Sequence, residues 1–191
     1  MNRYLLLITL ISCLLCIEEI DFEKIANEIY FKHNAYRELH GSPAIEFDEN
    51  LNEIARKQAV SMADKAALFY SNSTYNGRTL GENFFYCNAF DKSSCILKYD
   101  IVGYWYREYY DYCFSSKSFT KSVRNFINMV WKETTKIGCG YEYRNYYDTM
   151  DAYFVVCVYY PGPHPYNGPT SEEFDAYLQD RTDGNKKSDP C

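Results

Sequence analysis

The sequence predicts an α+β fold in which helices flank a small antiparallel sheet, a three-layer α-β-α sandwich. Apolar residues recur at three- and four-residue spacing over the first half, the period of helices lying on a core. Two strand-like runs come late: one starts at Ile137-Gly138-Cys139-Gly140, and the other reads Tyr153-Phe154-Val155-Val156-Cys157-Val158-Tyr159-Tyr160. A polar connection around Arg144-Asn145 and Asp148 joins them like a hairpin.

The elements follow in order. Met1-Asn2-Arg3 is basic, Tyr4 to Ile17 is nearly continuous apolar sequence, and Glu18-Glu19 ends it. An apolar core this short, followed by acid, reads as a secretory signal and not as a membrane span. Residues 1–17 are therefore assigned as signal peptide, 18–163 as the folded domain and 164–191 as a C-terminal extension. Asp21 is placed to cap a helix carrying Phe22, Ile25, Ile29, His33, Tyr36 and His40, stopped by Gly41 and Pro43. Asp48 caps a second, with Leu51, Ile54, Ala55, Gln58, Met62 and Ala66 on one face. A polar loop runs from Tyr70 to Arg78. After Leu80-Gly81-Glu82-Asn83-Phe84 comes a third helix centred on Tyr99, Val102, Tyr106 and Tyr109, and a short fourth spans about Lys121 to Asn128. The two strands follow. The tail from Pro161, rich in Pro, Gly and Asp, is expected to be extended.

Composition narrows the function. The net charge is −6 and the basic residues are dispersed, which argues against a nucleic-acid partner. No later stretch is apolar enough for a transmembrane anchor. Of eight cysteines, Cys13 and Cys16 fall in the leader. The remaining Cys87, Cys95, Cys113, Cys139, Cys157 and Cys191 form the even set expected of disulfides in a secreted chain. Cys87 and Cys95 are close enough for a local loop. With no C-x-x-C pair, structural zinc is not the use of these cysteines. Asn72-Ser73-Thr74 is a glycosylation sequon in a loop-like stretch. Twenty-one tyrosines supply apolar faces with polar tips, suited to core packing and to amphipathic ligands alike.

Several segments share one resemblance. His33-Asn34-Ala35-Tyr36-Arg37, His40-Gly41, Gly81-Glu82-Asn83, Trp105-Tyr106-Arg107-Glu108, Phe126 to Trp131 with Ile137-Gly138-Cys139-Gly140, and the run ending at Pro161-Gly162-Pro163 match, in order, motifs of the CAP superfamily. That superfamily comprises cysteine-rich secretory proteins, antigen 5 and pathogenesis-related 1. Within it the chain looks most like a venom allergen-like protein of a parasitic worm such as a blood fluke. The resemblance implies the same α-β-α sandwich. It also implies a Cys139–Cys157 bond, natural for cysteines on adjacent strands. Family members hold two histidines and two glutamates in a central cavity, where the imidazoles can bind zinc. Here the carboxylates are Glu82 and Glu108, but the histidine positions fall on Tyr70 and Asn125, both poor zinc ligands. His33 and His40 lie in motifs that look structural. A degenerate cavity is therefore expected, with no metal and no other cofactor.

Catalysis is not expected. A Cys–His hydrolase needs a free thiol, and no G-x-S-x-G elbow is present. Binding is the reading that remains. Tyr112, Phe114 and Phe119 have the spacing of a caveolin-binding motif, in the loop that CAP relatives associate with sterols; three presented aromatic faces would cover a rigid apolar ligand. The resemblance also implies a fatty-acid tunnel between the first and fourth helices, with Ile25, Ile29, Phe126 and Met129 as its walls. The expected protein is secreted and extracellular, binds sterols first and fatty acids second, and has host proteins as an alternative class of partner.

Overall fold

A four-stranded sheet, ordered β1-β5-β6-β4, separates two layers of helix. The computed structural model describes residues 22–89, 98–146, 150–163, 168–188 and 190–191. The expected leader, Asp21, Cys95, Asp148 and His164 lie outside the described residues. In chain order the elements are α1 (Phe22–Leu39), β1 (Glu46–Phe47), α2 (Glu49–Lys65), β2 (Thr74–Tyr75), β3 (Arg78–Thr79), β4 (Gly81–Ala89), α3 (Ile101–Tyr106), α4 (Arg124–Val130), β5 (Lys136–Tyr146), β6 (Met150–Tyr160) and α5 (Ser171–Tyr177). A 3-10 turn, Arg107–Asp111, continues α3.

The strand β6 organises both layers. Its side chains alternate between faces. Tyr153, Val155, Cys157 and Tyr159 join the core beneath α1, α3 and α4, whereas Ala152, Phe154, Val156 and Val158 join the core beneath α2. This strand pairs antiparallel with β5, Cys139 opposite Cys157, and with β4, Asn83 opposite Cys157. The Cys139–Cys157 disulfide bridges β5 and β6. β1 adds to β5 in parallel, so the sheet is antiparallel except at that edge.

The second helix begins where its cap predicts: the Asp48 carboxylate accepts hydrogen bonds from Asn50 N (2.9 Å) and Leu51 N (3.2 Å). It packs directly on the β5 backbone. A Cβ on Gly138 would stand 2.1 Å from Leu51 C, and one on Gly140 2.3 Å from Arg56 N, so only glycine admits the helix there.

Two sequence expectations are corrected. Residues after Leu80 form β4 rather than a lead-in to the third helix, because Phe84 to Cys87 alternate against β6. The tail is not simply extended. Its helix α5 starts in a capping box, with Glu173 N donating to Thr170 Oγ1 (3.2 Å) and Thr170 N to Glu173 Oε2 (2.7 Å). Phe174 and Leu178 carry it into the core beside Trp131. The third helix also splits: Tyr99 precedes α3, and Tyr109 lies in the 3-10 turn.

A buried arginine ties α1 to the rest. Arg37, fully buried, donates to Pro43 O (2.7 Å), Met129 O and Trp131 O (both 2.9 Å) and Thr134 O (2.8 Å). These carbonyls lie beyond α1 and at the end of α4, where helical partners run out.

Candidate functional site

The expected cavity is built from the loop after α2, the start of β4, the 3-10 turn and the start of α4. Gln58 on α2 holds the loop by donating to Phe69 O (2.6 Å). The next residues deliver Ser71 to Glu82. Ser71 N donates to Glu82 Oε2 (2.8 Å) and Ser71 Oγ to Oε1 (2.5 Å), so both carboxylate oxygens are engaged. Glu108, in the 3-10 turn, is engaged too: Oε1 accepts from Asn125 Nδ2 (2.6 Å) and Oε2 from Phe126 N (3.1 Å). Burial pushes the Glu108 carboxyl up to about 7, against the opposing pull of those hydrogen bonds. Of the four expected residues only Glu108 and Asn125 pair with each other; Glu82 is held by Ser71, and the Tyr70 ring lies against Arg124.

Arg124 fills the space between the loop and α4. Its guanidinium lies over the Tyr70 ring (4.4 Å) and the Phe119 ring (5.1 Å). Burial raises the Tyr70 hydroxyl pKa, Arg124 opposes the shift and the Glu108 charge adds to it. What is left is a void of about 10 Å³, lined by Tyr70, Gly81, Glu82, Phe119, Arg124 and Asn128 among others. Arg124 Nε and Asn128 Oδ1, both buried, have no hydrogen-bond partner among the described residues. Asn128 Oδ1 is also the atom that a Cβ on Gly81 would meet, at 2.8 Å.

This donor set does not fit zinc. Both carboxylates are engaged, a phenol and an amide stand at the histidine positions, and a guanidinium intrudes. Among the described residues no three His, Cys, Asp or Glu side chains cluster as a metal site would require. The two described histidines bond within the core. His33 Nε2 lies 2.8 Å from the Tyr159 hydroxyl and Nδ1 2.7 Å from Ile29 O, and burial pulls its pKa down to about 4. His40 lies 2.9 Å from the Tyr106 hydroxyl and 2.6 Å from Gln179 O.

The aromatic loop differs from its expectation. Tyr112 is 1% exposed, its ring packed on Phe114, Phe126 and Phe174. Phe114 and Phe119 are half-buried, Phe114 also against Phe126 and Phe119 under Arg124. Tyr112 and Phe114 turn toward each other and Phe126, with Phe174 of α5 against Tyr112, while Phe119 lies under Arg124. Cys113 is bonded to Cys191, and Cys87 is also in a disulfide. Asn72 is exposed in a left-handed turn conformation (φ 57°).

The expected tunnel is corrected as well. Phe126 and Met129 are fully buried and fill the core instead of walling a cavity. Ile25 and Ile29 do line open space, but between α1 and the start of α3. A cleft of about 270 Å³ has Ile25, Ile29, Ile101 and Val102 as its apolar lining, with Glu28, Lys32, Lys98, Tyr99 and Asp100 around them. Lys32 Nζ bridges Glu28 (2.6 Å) and Asp100 (3.1 Å) at the rim. A smaller apolar notch of about 30 Å³, also lined by Ile25 and Ile29, reaches Cys139, Gly140 and Val155 on the sheet. Sequence reading missed the rim and Arg124. The signal available for Arg124 was a cation directly before the residue at a histidine position; the rim residues come from separate elements and carry no local signal.

Comparison with known proteins completes the description. The model of the cysteine-rich secretory protein family, CAP, matches residues 30–159. The chain is 31% identical over 147 residues to the human Golgi-associated plant pathogenesis-related protein 1, covering 77% of this chain and 89% of that one. It is 30% identical to Secreted protein RBT4 of Candida albicans, over 71% of this chain but only 34% of that protein. In structure it resembles MpPR-1i with a TM-score of 0.52 and 19% identity, covering 78% of this chain and 95% of that one, a likeness of fold. The chain belongs to the CAP, or cysteine-rich secretory protein, family.

Proposed function

We propose that this chain is an extracellular lipid-binding CAP protein that takes an acyl chain into the cleft beside α1. The observation that supports this reading is the cleft itself, where Ile25, Ile29, Ile101 and Val102 lie below a polar rim of Glu28, Lys32, Lys98, Tyr99 and Asp100. Its volume, about 270 Å³, is near the lower end of ordinary ligand pockets, ~300–1,000 Å³. That suits one flexible chain better than a rigid ring system. Each buried methylene contributes about 0.8 kcal/mol. Roughly ten of them would offset an association cost of about 4–15 kcal/mol only in part of its range, so modest affinity is expected. Lys98 stands at the rim where a carboxylate head would emerge, whereas Lys32 is already paired with Glu28 and Asp100. The reading assigns no catalytic step, since Glu82 and Glu108 are already committed to hydrogen bonds within the fold.

The test is saturable binding of radiolabelled palmitate, with Ile25→Trp alongside. Ile25 is half-buried and borders both the cleft and the notch, so the indole would fill them without entering the core. Binding by the wild type that is lost in the folded variant supports the site. Equal binding by both proteins rejects it.

A further inference from the structure

Described residues of the C-terminal tail touch the aromatic loop and the turn before it at several points, and touch α1 and the end of α4 at others. Gly168 lies so close to Phe119 that a Cβ there would stand 3.0 Å from the phenylalanine Cβ. Phe174 of α5 stacks on Tyr112, with ring centroids 6.4 Å apart, and Asp175 pairs with Lys117 of the loop at 2.5 Å. Further on, the Tyr109 hydroxyl donates to Asp180 Oδ1 (3.0 Å). Lys187 then reaches across, donating from Nζ to Tyr110 O (3.0 Å) and Tyr112 O (2.5 Å) and from N to the Tyr109 hydroxyl (3.2 Å). The last residue, Cys191, closes the wrap on Cys113.

The two fully described disulfides differ in access. Cys157 is completely buried and its partner Cys139 half-buried, whereas Cys191 is exposed and Cys113 half-buried. Only the second pair offers an exposed cysteine, so a thiolate in solution reaches it more readily than the first. The bond matters to the wrap because tethering raises the effective concentration of the tail at the loop to the millimolar range. Without it the far end relies on hydrogen bonds worth about 1 kcal/mol each.

We propose that the tail beyond α5 is a cis-acting cover on the aromatic loop, latched by the Cys113–Cys191 disulfide, and that a dithiol reductant unlatches it to expose an apolar surface for a flat apolar ligand. In that step the dithiol gives two electrons and two protons to the protein disulfide. Cys113 and Cys191 become thiols, and the reductant leaves as its own disulfide. Cys139–Cys157 stays intact. The ligand class rests on the lipid-binding reading; the latch does not.

The experiment compares oxidised wild type, wild type after mild dithiothreitol, and Cys191→Ser. Each is checked by mass for an intact Cys139–Cys157 bond. Amide hydrogen exchange is followed over residues 110–119, with cholesterol and palmitate binding in the same samples. Reduced wild type and Cys191→Ser should each lose at least tenfold of the loop's protection and gain at least tenfold in cholesterol affinity. Equal protection in all three samples overturns the latch. An opened loop with unchanged cholesterol affinity overturns the exposed ligand surface. Palmitate reads the α1 cleft separately, so its failure counts against the acyl site and not against the latch. Mild reduction of folded wild type keeps the comparison decisive if the serine variant does not fold.

Discussion

Glu108 Oε1 accepts a 2.6 Å hydrogen bond from Asn125 Nδ2, so the amide at a CAP histidine position is the partner of a CAP glutamate rather than a vacant ligand. The pair sits at the first turn of α4, and the other glutamate oxygen receives Phe126 N. A carboxylate at a helix N-terminus is favourable there. Burial nonetheless outweighs these bonds and lifts the Glu108 pKa.

That balance predicts a pH dependence. Folded Glu108 keeps its proton up to about pH 7, whereas an unfolded glutamate loses it near 4.5. Its contribution to stability is full below 4.5 and is lost as pH rises through 7. His33 acts in the opposite sense, because its pKa of about 4 in the fold makes stability rise as pH climbs from 4 toward 6.5. Glu108→Gln isolates the first effect. Between pH 4 and pH 8 the variant should gain on the order of 3 kcal/mol relative to wild type in urea unfolding. A difference that stays flat with pH would show that this carboxyl titrates normally.

Arg37→Met should be severely destabilising. It leaves the carbonyls of Pro43, Met129 and Thr134 without the Arg37 donor, while Trp131 O keeps the Thr134 N–H (3.1 Å). Unpaired buried carbonyls cost about 1–3 kcal/mol each, so a loss of roughly 3 kcal/mol or more is expected. Arg37→Lys should recover little, because an ammonium cannot reproduce the planar fork. Chemical denaturation of both variants measures this, and a lysine variant close to wild type would refute the role given to the fork.

Removing Cys139 and Cys157 together, both to alanine, should lower stability by roughly 3 kcal/mol, the entropy of closing a loop with this sequence separation of 18. Cys157 faces the core, so a small packing loss adds to it. Calorimetry on the double variant reads the sum. A stability equal to that of wild type would mean that the sheet alone restrains this hairpin in the unfolded ensemble.

The void at Arg124 should hold one ordered water. It measures about 10 Å³, near the room one water needs, and it meets a buried donor, Arg124 Nε, and a buried acceptor, Asn128 Oδ1. A crystal structure at high resolution should place a solvent peak within hydrogen-bond distance of both atoms. Gly81→Ala, whose Cβ would stand 2.8 Å from Asn128 Oδ1, should expel it and lower the melting temperature by several degrees. Clear density with no peak would remove the water.

The elements legible in the sequence were those whose signals are local. The Asp48 cap, the apolar faces of the first two helices and the two late strands needed only neighbouring residues. Gly81 to Ala89 became a strand through pairing with residues some seventy positions away, which no local pattern announces. By contrast α5 carried a readable cap, Thr170-Ser171-Glu172-Glu173, inside a stretch whose Pro, Gly and Asp content argued for extension. The candidate site divides in the same way. The substitutions at Tyr70 and Asn125 were visible as residue types. The direction in which Tyr112 or Ile25 faces depends on which helix or tail lies against it, and that is settled only by the assembled fold.

At Gly138 and Gly140 the sandwich has no side-chain filling between α2 and the sheet; main chain rests on main chain. Spacing between those two layers is thus set by atoms that are missing, and no repacking of neighbours can absorb an added one without moving a whole helix. On the opposite face, α1 and α3 meet the sheet through bulky, deformable side chains, where a ligand-sized gap opens beside Ile25 and Ile29. One side of the molecule is therefore a fixed base, and any change in packing falls to the other.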